Sequence, residues 1–202
     1  METRLRNDFT AHYGLSISTT PDISLTTTAA YFEIEDDDHK ETQLHFTIGS
    51  GMVAYRNAPR YEVEIINYDK FFTGLPHAFQ QGKNRCDLIV YTKSVPRYFL
   101  LNELKDRIPT PKVRRKAKNQ LLVSLQNIIA VPSISSFIDT YAVKRCCYCN
   151  KKSIAPPIIN ATSAFNRINS IASNGLRMSN PDIEALGFEF YEYSGGSIFM
   201  LV

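Results

Sequence analysis

The chain contains no tryptophan and no hydrophobic segment long enough to cross a membrane. No apolar run in its 202 residues approaches the roughly 18 residues of a transmembrane helix. The opening residues, METRLRNDFTAHYG, lack the apolar centre of a secretory signal. Its one Gly-x-Gly turn, Gly49-Ser50-Gly51, is not followed by Lys-Ser/Thr, which excludes a phosphate-binding P-loop there. These absences predict a cytoplasmic protein with no membrane partner.

Cysteine is scarce, and its arrangement is not that of a disulfide framework. The four cysteines stand at positions 86, 146, 147 and 149, and all four histidines lie far upstream of Cys146. Zinc sites usually place their ligands at short, regular spacings, so a site here would need assembly over long distances. We therefore expect small apolar strand residues in a reducing compartment. A metal-ligand cluster is the alternative that the sequence leaves open.

Composition indicates a single folded domain, residues 1–202, that is rich in strands. The chain has 12 phenylalanines and 11 tyrosines, residue types that are enriched in sheets. The net charge of +3 permits a nucleic-acid partner without arguing for one. Basic residues are concentrated in one stretch, which is most often a solvated helix face: Lys112, Arg114, Arg115, Lys116 and Lys118.

The segment RCDLIVYTKSVPRYFLLNELKD, residues 85–106, combines strand patterns with unexpected polar residues. Residues 88–91 and 98–101 are apolar runs suited to a sheet that is covered on both faces. Pro96 lies between them and favours a turn. Asp87 opens the first run, whereas Glu103 and Lys105 end the second. The segment is therefore predicted to be an antiparallel hairpin with charged residues at one end.

Strand geometry predicts that these charged side chains converge. The start of one hairpin strand lies beside the end of the other, so Asp87 and Glu103 should be neighbours. Residues two apart in a strand share a face, so Lys105 should lie on the side of Glu103. Close carboxylates repel unless a cation lies between them. A divalent metal ion beside a lysine satisfies this requirement.

This arrangement resembles the PD-(D/E)xK nuclease superfamily. The matching residues are Asp87, Glu103 and Lys105, and the segment Ala117-Lys118-Asn119-Gln120-Leu121 resembles a helix element that many bacterial members carry after the lysine. The likeness covers roughly residues 60–145, but Cys86 replaces the proline before the aspartate. The resemblance implies an α/β (α+β) fold with a mixed, restriction-endonuclease-like central sheet that is flanked by helices. No upstream acidic ligand is assigned from the sequence.

The resemblance also implies a chemistry. Mg²⁺, or Mn²⁺ in its place, would be held by Asp87, Glu103 and the carbonyl of Leu104. Lys105 would orient the attacking water or stabilise negative charge, and Gln120 would assist in positioning. The expected substrate is DNA, with RNA as the less favoured alternative. The small chain predicts a partner subunit or a homodimer, in an antiviral-defence or restriction complex by family analogy.

A second hypothesis remains open, because nuclease folds are also used as inert scaffolds. In that case the chain is a catalytically silent subunit that binds a partner protein or nucleic acid. Each residue also has a structural interpretation of its own. Asp87 would cap loop amides, Glu103 and Lys105 would form a strand-end salt bridge, and Gln120 would be a solvated helix-face amide.

The rest of the chain divides into an N-terminal β-rich extension (1–58), a nuclease-like core (59–147) and a C-terminal helix and hairpin (148–202). Periodicity and turn residues predict strands at 29–34, 43–48, 61–67 and 137–147, helices at 112–129 and 161–172, and a closing hairpin of 187–193 with 197–202.

Overall fold

The computed structural model describes residues 1–36, 41–80, 84–152, 175–195 and 197–202, except for the side chain of Gln80. The helices are α1 (Glu2–Arg4, continued by the π-helical Leu5–Phe9 and by Thr10–His12), α2 (Tyr68–Thr73), α3 (His77–Gln80), α4 (Pro111–Ile129), α5 (Pro132–Asp139) and α6 (Pro181–Glu184). The strands are β1 (Ser24–Thr27), β2 (Tyr31–Asp36), β3 (Thr42–His45), β4 (Val53–Asn57), β5 (Val63–Asn67), β6 (Leu88–Thr92), β7 (Tyr98–Lys105), β8 (Val143–Asn150), β9 (Leu176–Met178), β10 (Glu189–Ser194) and β11 (Ile198–Leu201).

The strands form two sheets, and the predicted α+β class with a mixed central sheet is confirmed. Within the described residues, the large sheet has seven strands in the order β1-β5-β6-β7-β8-β10-β9, and the small sheet has four in the order β11-β4-β2-β3. In the large sheet β7, β8 and β10 run parallel, whereas the other neighbouring pairs are antiparallel.

The large sheet is covered on both faces, which explains its continuous apolar strands. On one face Ile89, Phe99 and Leu101 join the helices in the helix-side core. On the other, Val90 and Leu100 pack against the small sheet in the inter-sheet core. Alternation along each strand therefore divides one hydrophobic run between two cores.

The predicted hairpin of residues 85–106 is confirmed in type and register. Strands β6 and β7 are antiparallel, and Leu88 lies opposite Asn102. Strand β7 continues to Lys105, beyond the apolar run of 98–101, because its last residues also pair with β8. This pairing brings the segment before β6 beside the end of β7.

Helix α4 confirms the predicted helix at 112–129 and covers the site from the helix side. Its start follows the predicted signals: the Thr110 hydroxyl accepts the Val113 N–H at 3.3 Å, and Pro111 occupies the first turn. Its buried face is apolar except for one hydroxyl, and comprises Ala117, Leu121, Ser124, Leu125 and Ile128.

Two predictions at the C-terminal side are wrong in part: the start of the strand at 137–147 and the pairing of the last two strands with each other. Residues 137–139 end helix α5 and strand β8 begins only at Val143, because Pro132 starts a helix whose Ile134 and Ile138 are buried one turn apart. The closing hairpin does not form either. Strand β10 pairs with β8 in the large sheet and β11 with β4 in the small sheet, so each strand gains a partner that is more buried than the other hairpin strand would have been.

Other predictions have mixed outcomes. The strands at 29–34, 43–48 and 61–67 correspond to β2, β3 and β5, whereas helix α1 was not predicted. The helix at 161–172 lies outside the described residues. Among the described helices, none alone has the length and apolarity to span a membrane; α4 and α5 meet that criterion only as a pair bent by 106°.

Candidate active site

Asp87, Glu103 and Lys105 lie together at the end of β7, on the helix side of the large sheet. Asp87 stands just before β6, and its main-chain N–H donates to the Asn102 carbonyl at 3.1 Å. Its carboxylate oxygen Oδ2 accepts the Leu104 N–H at 2.6 Å. The hairpin register therefore holds the Asp87 carboxylate against the β7 backbone at Leu104, one residue before the strand ends.

Glu103 is the most buried member of the group. Its side chain is 0% exposed, whereas that of Lys105 is 14% exposed and that of Asp87 is 17% exposed. The Lys105 ammonium contacts Glu103 Oε1 directly. Among the described residues, Glu103 Oε2 has no hydrogen-bond partner. A buried carboxylate oxygen without a partner is costly, so this atom marks a position where a cation or donor would be stabilising.

Lys105 connects the two acids. Its Nζ lies 3.9 Å from Asp87 Oδ2 in addition to its contact with Glu103. One ammonium thus serves two carboxylates, and no further ion pair of either acid is found in the part of the chain that the structure describes. Because Glu103 and Lys105 are two positions apart, they project to the same face of β7, as the sequence predicted.

The electrostatics follow from this burial and crowding. Burial raises the pKa of Asp87, and Lys105 and the Leu104 amide offset only part of that effect. Burial and then the charge of Asp87 raise the pKa of Glu103 well above its usual value. Burial alone would lower the pKa of Lys105, but the two carboxylates outweigh it and raise that pKa. The lysine is therefore charged at neutral pH, while Glu103 retains its proton more readily than an ordinary glutamate.

A third acid near the site, Asp69, was missed in the sequence. It lies in the first turn of α2, and its charge contributes to the raised pKa of both Asp87 and Glu103. The Arg85 guanidinium donates to its Oδ1. The local signal was available, because Asn67 at the end of a strand caps the Lys70 N–H at 2.7 Å and so starts the helix. Only the fold shows that this helix approaches Asp87.

Gln120 lies near the site, and it contacts the main chain of the segment before Asp87. Its Nε2 donates to the Arg85 carbonyl at 2.9 Å, and one turn later the Ser124 hydroxyl accepts the Cys86 N–H at 2.7 Å. Among the described residues, Gln120 Oε1 is buried without a hydrogen-bond partner. Helix α4 thus fixes the segment that leads into Asp87.

The four cysteines are buried, as the strand interpretation predicted. Cys146, Cys147 and Cys149 lie in β8, and Cys86 lies just before Asp87. Burial raises the pKa of each thiol. Cys146 belongs to the helix-side core, and Cys147 and Cys149 belong to the inter-sheet core. The cysteines therefore behave as small apolar residues of the two cores.

The donor set at the site fits a hard divalent cation. Within the described ranges, no group of three or more His, Cys, Asp or Glu side chains is arranged to hold a metal ion. Mg²⁺, however, is commonly held by one or two carboxylates and completes its shell with water and substrate oxygens. The amide and carbonyl of a strand residue face the same edge, so the Leu104 carbonyl lies on the Asp87 side. Asp87, Glu103 and this carbonyl are oxygen donors of the required kind.

Comparison of the chain with protein-family models, with curated proteins and with solved structures gives no match.

Proposed function

We propose that the protein is a Mg²⁺-dependent nuclease of the PD-(D/E)xK type. The observation that supports this function is the pair of buried carboxylates, Asp87 and Glu103, on a single ammonium, with one Glu103 oxygen left without a partner among the described residues. A structural ion pair would satisfy its charges. Unbalanced acidic groups that converge at one strand end are typical of functional sites.

Each residue has a role in this proposal. Asp87, Glu103 and the Leu104 carbonyl would hold Mg²⁺ or Mn²⁺, which when bound polarises the phosphate and lowers the pKa of a coordinated water. Lys105 would hold the attacking water and stabilise charge that develops on the phosphoryl oxygens. Asp69 would complete the acidic group or orient water. Gln120 holds the Asp87 segment through the Arg85 carbonyl, which is a positioning role.

The proposed substrate is a polynucleotide, with DNA preferred to RNA. A partner subunit or a second copy would supply targeting, in an antiviral-defence complex within the cytoplasm by family analogy. Some of the basic residues on α4 contact other side chains, which leaves fewer of them for contact with a polynucleotide. Arg114 is engaged by Glu192 and Lys118 lies over the Phe190 ring, whereas Lys112, Arg115 and Lys116 are exposed.

The test is cleavage of DNA and RNA by the purified protein with Mg²⁺ or Mn²⁺. Asp87→Asn keeps an oxygen that can accept the Leu104 N–H but removes the charge. We expect this change, and Lys105→Ala, each to reduce the cleavage rate about 100-fold or more, the usual size for loss of an electrostatic catalytic group. Circular dichroism should show that both variants fold.

Asp139→Asn is the matched control, because Asp139 is an exposed aspartate on α5 that pairs only with Lys144 among the described residues. It should cleave like the wild type. Full activity in both Asp87→Asn and Lys105→Ala would remove this site from the mechanism. A wild-type protein that cuts neither polymer with either metal would contradict the hydrolytic function.

A second candidate is a catalytically silent subunit with the same fold. It is favoured by the contact of the Lys105 ammonium with Glu103 Oε1. The lysine there occupies the position at which a metal ion would have to bind this oxygen. In this case Asp87→Asn would leave nucleic-acid binding and any protein complex unchanged. The two candidates therefore differ in the cleavage assay and not in the fold.

A further inference from the structure

Three positively charged residues lie next to the candidate active site, at the ends of the parallel strands β7 and β8. Arg107 follows β7, and Lys151 and Lys152 follow β8; all three side chains are exposed. The Lys151 N–H donates to the Lys105 carbonyl at 2.9 Å, so the strand pairing continues one residue past β8. Adjacent strands lie about 4.8 Å apart, which makes these residues neighbours of Lys105.

The backbone at Arg107 is held by a buried side chain. Asn150 is the last residue of β8, and its Nδ2 donates to the Arg107 carbonyl at 2.8 Å. Its Oδ1 accepts the Arg107 N–H at 3.4 Å, and its Nδ2 also donates to the Tyr148 hydroxyl at 3.1 Å. The amide of Asn150 thus replaces a neighbouring strand, and Arg107 is positioned although β7 has already ended at Lys105.

Two of these charges have no acidic partner in the part of the chain that the structure describes. Lys152 pairs with Asp106 at 3.4 Å, but no ion pair of Arg107 or Lys151 is found among the described residues. The sequence that follows offers none, since residues 151–180 contain no aspartate or glutamate. Arg107 is also close enough to Lys105 to lower its pKa, against the larger effects of burial and the two carboxylates. Like charges held together repel, and an anion would relieve that repulsion.

We infer that Arg107, with Lys151 beside it, binds a phosphate of the polynucleotide next to the one that lies at Asp87, Glu103 and Lys105. The inference rests on the proposed function for the identity of its ligand. A guanidinium forms two parallel hydrogen bonds with a phosphate, and a fixed backbone reduces the entropy that binding would otherwise cost. Arg107 is thus a substrate-positioning residue, outside the group that performs the chemistry.

The experiment measures binding in EDTA, so that cleavage cannot interfere. Fluorescence anisotropy would follow a short fluorescein-labelled DNA duplex and an RNA strand of the same sequence over a series of KCl concentrations. Arg107→Ala should weaken binding about tenfold, and the slope of log affinity against log salt should fall by about 0.9 on duplex DNA, as expected for one lost phosphate contact. Arg107→Lys keeps the charge, so it should recover most of the slope.

Arg97→Ala is the matched control. Arg97 is an exposed arginine immediately before β7, so the variant loses the same charge at the opposite end of the same strand. It should bind with the affinity and salt slope of the wild type. If Arg107→Ala and Arg97→Ala behave alike, the effect is one of net charge and the inference is overturned.

The outcomes separate this inference from the proposed function. A wild type that cleaves DNA, with Arg107→Ala binding unchanged in affinity and slope, would overturn the inference and leave the nuclease function intact. Binding that depends on Arg107 without any cleavage in Mg²⁺ would support the inference and favour the silent subunit. A wild type that binds neither polymer would overturn both. The polymer on which Arg107→Ala changes the slope identifies the substrate class.

Discussion

Replacement of Glu103 by glutamine should stabilise the protein and abolish its proposed activity. The Glu103 side chain is 0% exposed, and its Oε2 has no hydrogen-bond partner among the described residues. Asp87 and Glu103 share one ammonium, that of Lys105, while Arg85 is engaged with Asp69. The two carboxylates and Lys105 therefore carry a net negative charge when both acids are ionised, and glutamine at position 103 would neutralise it.

Two opposing effects decide how much Glu103→Gln changes the free energy of unfolding. Removal of one partner from a buried ion pair costs about 3–5 kcal/mol when the other charge is left alone. Lys105 is not left alone, because Asp87 Oδ2 lies 3.9 Å from its Nζ and the lysine side chain is 14% exposed. Replacement of the unpartnered, charged Oε2 by a neutral amide group removes the extra cost of burying a charge, about 1–3 kcal/mol. We expect a net gain of about 1–2 kcal/mol, with each kcal/mol raising the melting temperature by about 2–4 °C.

The gain should depend on pH in a defined direction. Burial and Asp87 raise the pKa of Glu103 in the folded protein, so the folded state binds this proton more tightly than the unfolded state. The associated stability is fully present below the ordinary glutamate pKa of about 4.3 and is lost as the pH rises towards the folded value. Glutamine at position 103 does not titrate, so the Glu103→Gln variant does not lose this stability. The variant and the wild type should therefore be equally stable in acid and diverge towards neutral pH.

The assay is urea unfolding in EDTA over a series of pH values, with Mg²⁺-dependent cleavage measured in parallel.

Glu192→Gln is the control. Glu192 is also buried, but its Oε1 accepts hydrogen bonds from Arg114 Nε at 3.0 Å and from Arg114 Nη2 at 2.9 Å. Because the Glu192 carboxylate has its partner, Glu192→Gln should destabilise the protein. If Glu103→Gln is destabilised to the same extent as Glu192→Gln at neutral pH, Glu103 is a structural ion-pair residue and its charge is not unbalanced.

Two further predictions follow from raised and lowered acid pKa values. Mg²⁺ affinity should increase with pH, because Asp87 and Glu103 have raised pKa values and must release protons on binding; titration calorimetry in two buffers would detect those protons, and a pH-independent affinity would contradict it. Burial raises the pKa of Glu33, but hydrogen bonds that include the Gly49 N–H at 2.7 Å and the Gly51 N–H at 2.5 Å outweigh it and lower that pKa. Glu33→Gln should therefore cost about 1.5–3 kcal/mol at neutral pH, and the cost should shrink as the pH falls below about 4.3; a cost that persists unchanged in urea unfolding at acid pH would be inconsistent with this origin.

The geometry around β6 and β7 could be predicted because it depends on local rules. Period-two alternation and the antiparallel register fix which side chains share a face. Those rules place Asp87 beside Glu103 and Lys105 once the turn around Pro96 is recognised. Helix α4 was equally accessible, since Thr110 and Pro111 start it and its apolar residues recur at helical spacing.

The remaining features depend on contacts between distant segments. The alternation of β10 and β11 suits a hairpin as well as two strands in separate sheets, and only the partners β8 and β4 decide between them. Asp69 joins the site because α2 follows β5, which lies beside β6 in the sheet. Asn150 lies three residues beyond the strand that the sequence predicts at 137–147, although β8 continues to it. Its role in fixing Arg107 appears only when β7 and β8 are seen to be parallel neighbours.

Under the proposed function, the charge arrangement would give the site two states, one with and one without a bound divalent cation. Lys105 is the internal counter-ion of Asp87 and Glu103, so that one positive charge is set against two negative charges. A divalent ion held by the two carboxylates would balance both negative charges and release the Lys105 ammonium from them. The lysine would then be free to face a phosphate, because its former partners would be occupied. In the silent subunit no such exchange takes place, and Lys105 remains a permanent structural cation.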